Sequence, residues 1–107
     1  MAYDSGLVAR VADTLATLGE RAVRQKNVFG GRGFLIGKST FAIVWRESLL
    51  VKCPRAEYDA LLRTPGITPF APDGERPMST WLVVDAENIA DDPELAEWVS
   101  RALRGIR

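Results

Sequence analysis

The chain contains no histidine, which removes the side chain that serves most often as a general base or a metal ligand. Its single cysteine, Cys53, has no histidine to form a nucleophilic pair and no second thiol for an intrachain disulfide. A lone cysteine fits a reducing compartment. No apolar run approaches the ~18 residues of a membrane span. The opening "MAYDSGLVAR" also lacks the basic and apolar regions of a secretion signal. We therefore expect a cytoplasmic, non-catalytic protein with no cofactor, no metal, no small-molecule substrate and no membrane contact.

What the chain does contain is typical of a globular domain. It has 107 residues, of which 47% are apolar and 26% are charged. A chain of this length buries roughly 65% of its unfolded surface. We therefore expect one domain over residues 1–107.

The net charge is zero, but charge is distributed unevenly. Residues 21–52 carry seven basic side chains and one acid, whereas residues 53–100 carry ten acids and three basic side chains. A basic half is able to attract nucleic acid. The alternative is a solvated strand face beside an acidic helix, and the sequence leaves both open.

Hydrophobic periodicity predicts an α+β domain in the order helix, three or four strands, helix, one or two strands, helix, in which the polar segment "ERAVRQKNVF" is one of the strands. A first helix follows a cap at Asp4 or Ser5 and ends at Gly19. Strands "GFLI", "STFAIVW" and "SLLVK" come next, then a helix after Pro54, a loop over residues 64–78, and strand "STWLVVD". Asp92 is predicted to cap, and Pro93 to open, a last helix whose apolar stripe comprises Leu95, Trp98, Val99, Ala102, Leu103 and Ile106. Short turns make the strands antiparallel, so the fold is a two-layer sandwich.

The stretch "GGRGFLIGKST" ends like a nucleotide-binding P-loop, but its spacing is wrong. That motif needs a glycine at position 32, where this chain has Arg32. Residues 34–36 are strand formers, and another strand, "FAIVW", replaces the helix that must follow. The pattern predicts a β-hairpin that turns at Gly37-Lys38.

Three glycines, Gly30, Gly31 and Gly33, favour a tight strand connection, a bulge or a close backbone approach. The functional alternative is an exposed loop in which Arg32 reaches a partner. Of the tryptophans, Trp98 is predicted to be core. Trp45 and Trp81 are predicted to pack, although each is also able to stack on a ligand.

Four segments, taken in order, resemble the N-terminal domain of the TfoX/Sxy competence regulators: "MAYDSGLVARVADTLATL", "VFGGRGFLIGKSTFAIVWRESLLVK", "YDALLRTPGITPFAPDGERPMSTWLVVD" and "LAEWVSRAL". The most specific pieces are Phe29-Gly30-Gly31, Pro69-Phe70, Pro77-Met78 and the Trp81 strand; Val28 stands where the family usually has Met. The resemblance implies a two-layer α+β sandwich of order approximately α-β-β-β-α-β-β-α, in a stand-alone copy of that domain. It implies no catalytic residues. Full-length regulators are associated with the transcription of DNA-uptake genes.

Two functions follow as hypotheses. The first is a regulatory interaction domain that binds another protein or itself. The second is a nucleic-acid-binding module that uses the basic 21–52 segment. The candidate interaction surface for either comprises Arg24, Lys26, Phe29, Gly30, Gly31, Arg32 and Lys38.

Overall fold

A computed structural model, which describes residues 3–71 and 80–107, confirms the α+β fold and its order of helix, strands, helix, strands, helix. The helices are α1 (Ser5–Thr17), α2 (Arg55–Leu61) and α3 (Asp92–Arg104), and a short 3-10 helix spans Ala86–Ile89. The strands are β1 (Val23–Val28), β2 (Gly31–Ile36), β3 (Ser39–Trp45), β4 (Ser48–Lys52), β5 (Ile67–Pro69) and β6 (Trp81–Val84). The polar segment before the glycines is therefore a true strand, β1.

The described strands form one antiparallel sheet in the order β1-β2-β3-β4-β6-β5. The first four strands are neighbours in sequence order because short turns join them. The two edges of the sheet are β1 and β5.

The predicted loop over residues 64–78 is wrong at Ile67–Pro69, which pairs with β6 as strand β5. Proline cannot donate to a ladder, but an edge strand has one side with no neighbour, so Pro69 is tolerated there. Residues 72–79, which include Pro77 and Met78, lie outside the described residues.

The helices α1 and α3 pack together over one face of the sheet. Asp4 caps α1, because its carboxylate accepts hydrogen bonds from the N–H groups of Gly6 and Leu7 at 2.8 and 3.2 Å. Leu18 follows the last helical residue and is exposed. Gly19 takes a positive φ of 83° after the helix, as predicted.

The last helix begins at Asp92, the residue predicted as its cap, so the observed cap lies one residue earlier than predicted. Asp91 is the N-cap and Asp92 is the first helical residue, with Pro93 in the first turn. The buried face of α3 matches the predicted stripe except at its end, where Ile106 is only partly buried; it comprises Leu95, Trp98, Val99, Ala102 and Leu103.

The face of the sheet opposite the helices carries a second apolar cluster. Ile43, Leu50, Phe70 and Trp81 are buried there, and Trp45 packs against them partly exposed. The prediction that Trp45 and Trp81 pack is confirmed. The sheet is therefore apolar on both faces at its centre.

Candidate functional site

The turn that joins β1 to β2 has an unusual backbone. Both of its central residues have positive φ, 54° at Phe29 and 78° at Gly30, as a type I′ hairpin turn requires. Glycine adopts this conformation without strain, whereas a bulky aromatic residue rarely does. Phe29 is nevertheless there, and 55% of it is exposed to solvent. Strained residues of this kind cluster at functional sites.

The Phe29 ring belongs to an aromatic cluster formed by Phe29, Phe70 and Trp45. Its centroid lies 5.8 Å from that of Phe70, and the planes meet at 62°. Phe70 also lies 5.8 Å from Trp45 with an interplanar angle of 69°. Both contacts are the edge-to-face type that aromatic pairs prefer. Phe70 is buried, so it acts as a fixed support that orients the exposed Phe29 ring.

A cationic side chain, that of Arg46, lies against this aromatic cluster. The Arg46 guanidinium lies 4.4 Å from the centroid of the Trp45 ring, within cation–π range. Arg46 follows β3 at a positive φ of 57°. Aromatic and arginine side chains therefore meet at this end of the sheet, and both residue types are enriched in protein interfaces.

The glycines of the hairpin serve packing, as predicted. A Cβ on Gly31 would overlap the Val44 carbonyl oxygen and lie 2.9 Å from Ile43 Cγ2. A Cβ on Gly33 would lie 2.8 Å from Val28 Cγ2. Both glycines are buried in β2, so close approach to neighbouring strands explains them.

The predicted basic residues are divided between two faces. Arg24 and Lys26 project from the same face of β1, because side chains alternate along a strand. Arg32 pairs with Asn27 and lies on the other face, where its guanidinium donates to Gln25 Oε1 at 3.0 Å and Asn27 Oδ1 at 3.1 Å.

Lys38 sits on a different turn from Phe29. Arg24 reaches that turn, because its Nη2 donates to the Gly37 carbonyl oxygen at 2.6 Å. Gly37 has a φ of 61° between β2 and β3, which confirms a hairpin in place of a phosphate-binding loop. The structure thus places Arg24 and Lys26 on one face of β1, brings Arg24 to the turn that contains Lys38, and separates Arg32 from Arg24 and Lys26.

A groove of about 170 Å³ runs beside β1 on the helix face. Its walls include Leu15 and Ala16 of α1, Val23 and Gln25 of β1, and Phe34 of β2. No sequence pattern indicated Gln25 or the groove, because only the register of β1 against β2 brings these residues together.

Cys53 is fully buried, at 1% exposure. Burial raises the pKa of its thiol, the nearby Glu57 carboxylate raises it further, and Arg101 opposes the rise. A thiol held neutral is a poor nucleophile and a poor metal ligand. Within residues 3–71 and 80–107, no cluster of three acidic or cysteine side chains is arranged to hold a metal.

These features define a class: a small α+β domain with helices on one face of an antiparallel sheet and an exposed aromatic turn at its end. The family model described as the TfoX N-terminal domain matches residues 13–106. The chain therefore belongs to the TfoX N-terminal domain family. Comparison with curated proteins found no match, and comparison with solved structures found none either. No helix in the described part of the chain is long and apolar enough to cross a bilayer.

Proposed function

We propose that this chain is a non-catalytic regulatory domain of the cytoplasm that works by binding another protein or a second copy of itself. The observation that carries the proposal is the exposed Phe29 ring on a strained turn. Membership of the TfoX N-terminal domain family supports a regulatory role of the competence-regulator type.

The physical reason is the cost of keeping phenylalanine at this position. A left-handed backbone costs a non-glycine residue roughly 1–2 kcal/mol. Partial burial of the ring and its contact with Phe70 offset that cost in the isolated domain, but 55% of the side chain stays exposed, where a partner is able to enclose it. Rigid aromatic side chains that a partner can enclose are frequent anchors of protein interfaces. The support of Phe70 fixes the ring in place before binding, which lowers the entropy lost on association.

Two experiments test this proposal. The first is sedimentation velocity over a range of protein concentrations at low and at high salt. The second is retention of partner proteins on the immobilised chain. We expect self-association or a retained partner for the parent. We expect Phe29→Gly to abolish it while keeping the fold, since glycine fits the turn. A parent that stays monomeric throughout and retains no partner refutes the proposal, and so does a Phe29→Gly variant that associates as the parent does.

Direct nucleic-acid binding stays a prediction as the second candidate. Phosphate contact needs several cations on one surface, and the split between Arg24 and Lys26 on one face and Arg32 on the other does not favour it. An alanine variant at these three positions tests it. If the parent binds duplex DNA with a steep salt dependence and the variant does not, this candidate replaces the first.

A further inference from the structure

The outer edge of β1 is an open strand edge. A two-residue turn pairs Val28 with Gly31, and such a closing pair exchanges both of its backbone hydrogen bonds. Because bonding alternates along an antiparallel ladder, Lys26 and Arg24 also bond to β2. The N–H and C=O groups of Val23, Gln25 and Asn27 then point away from the sheet. Within the described residues, none of the three makes another backbone hydrogen bond.

The opposite edge of the sheet is protected. Strand β5 has three residues, and one of them, Pro69, has no N–H to donate. Shortness and proline are recognised ways of blocking an edge. Strand β1 has six residues and no proline, so it offers the longer ladder.

We propose that β1 takes up an extended segment of another protein as an added strand, in which acidic residues alternate with apolar ones. This inference rests on the proposed function, since it names the kind of partner that the interaction domain binds. Strand addition of this type gives affinity through backbone hydrogen bonds and specificity through alternate side chains.

Arg24 and Lys26 are the reason to expect acidic residues in the partner segment. Both are exposed on one face of β1, and neither forms an ion pair with a described carboxylate. Residues of an added strand directly opposite them would have Cβ atoms about 4.5–5.5 Å away. Two carboxylates spaced two residues apart would pair with both cations.

The groove on the helix face of β1 is the reason to expect apolar residues at the alternate positions of the partner segment. Residues of the added strand opposite Val23 and Gln25 point toward the helices and over that groove. Its floor includes the buried rings and chains of Phe34 and Leu15. Arg32 holds the Gln25 and Asn27 side-chain amides on this face, which keeps them off the edge.

A second copy of β1 fits the edge poorly. Antiparallel pairing of two β1 strands about Gln25 sets Arg24 opposite Lys26 of the other copy, twice. A shift of one strand by two residues sets Lys26 opposite Lys26, or Arg24 opposite Arg24. Like charges directly opposite each other are destabilising. The same cations that exclude a second copy therefore select an acidic strand.

Fluorescence anisotropy with a labelled peptide of about eight residues, alternating Glu and Val, tests the proposal. The control peptide has Lys in place of Glu. We expect the acidic peptide to bind at least about tenfold tighter than the basic one, with an affinity that falls as salt rises. Hydrogen exchange should slow at the Gln25 and Asn27 amides on binding and stay unchanged at Lys26.

Two variants locate the site. Gln25→Pro removes an outward N–H without removing a bond to β2, and we expect it to weaken binding about tenfold or more with the circular dichroism spectrum preserved. Replacement of both cations, Arg24→Glu together with Lys26→Glu, should transfer the preference to the basic peptide, and this variant still tests the proposal if the proline variant fails to fold. Equal binding of the two peptides, no binding, or undiminished binding by a folded Gln25→Pro variant overturns the inference. If Phe29-dependent association persists in that case, the proposed function stands and only strand addition fails.

Discussion

The strained turn at Phe29 makes a quantitative prediction about two substitutions that both delete the ring. The ring is 55% exposed, so its burial contributes about 1 kcal/mol of the ~1.5–3 kcal/mol of a fully buried side chain. Its edge-to-face contact with Phe70 adds about 1 kcal/mol. Phe29→Ala should therefore lower the free energy of unfolding by about 2 kcal/mol, because alanine keeps the left-handed strain.

Phe29→Gly loses the same contacts but relieves the backbone. Relief of the left-handed strain raises the free energy of unfolding by about 1–2 kcal/mol. The greater conformational freedom of glycine in the unfolded chain lowers it by about 0.5–1 kcal/mol. The glycine variant should therefore be about 0.5–1 kcal/mol more stable than the alanine variant.

Urea denaturation followed by tryptophan fluorescence measures this difference. The matched control is Ala9→Gly in the middle of α1, an exposed helical site where glycine should be about 1 kcal/mol less stable than alanine. If Phe29→Ala proves as stable as Phe29→Gly or more so, the turn is not strained and the argument for a functional ring fails. Loss of binding in both variants despite their different stabilities would separate the role of the ring from folding.

Three further predictions concern packing and charge. Gly31→Ala should cost about 1–3 kcal/mol by urea denaturation because its Cβ meets Val44 and Ile43, whereas Gly37→Ala, with open space around it, should cost only about 1 kcal/mol of backbone strain. The free energy of unfolding should fall as the pH rises past about 9, because Cys53 ionises at a lower pH in the unfolded chain than in the folded one. Denaturation measured at several pH values should show a smaller fall for Cys53→Ala. Glu57→Gln, which breaks ion pairs to α3 at 2.6 and 3.3 Å, should cost at most about 1 kcal/mol, and less at high salt.

The elements that the sequence predicts best are those whose signals are local. The hairpin between β2 and β3 follows from strand formers around Gly37-Lys38, and α3 follows from a proline start and an apolar stripe. Strand β5 was missed because proline argues against a strand unless the strand lies at an edge. Position within a sheet is a property of the whole fold, so no local pattern reports it.

The candidate site was predicted in composition but not in arrangement. The glycines indicated a tight connection, yet positive φ at a phenylalanine is too rare to expect from sequence. The separation of Arg32 from Arg24 and Lys26 depends on the length of one turn: two residues pair Asn27 with Arg32, and one more would have moved Arg32 to the other face. The aromatic cluster required Phe70 to come from a segment about forty residues away, whose position only the fold sets.

The difference between the two edge strands, β1 and β5, also limits aggregation in concentrated solution. Head-to-tail stacking, with β1 of one molecule on β5 of the next, would build an open-ended filament. Pro69 and the brevity of β5 leave such a joint almost no hydrogen bonds, and mutual repulsion of cations prevents growth from β1 to β1. Added strands are therefore accepted at only one of the two edges, so copies of the domain cannot pass strand pairing from one sheet to the next.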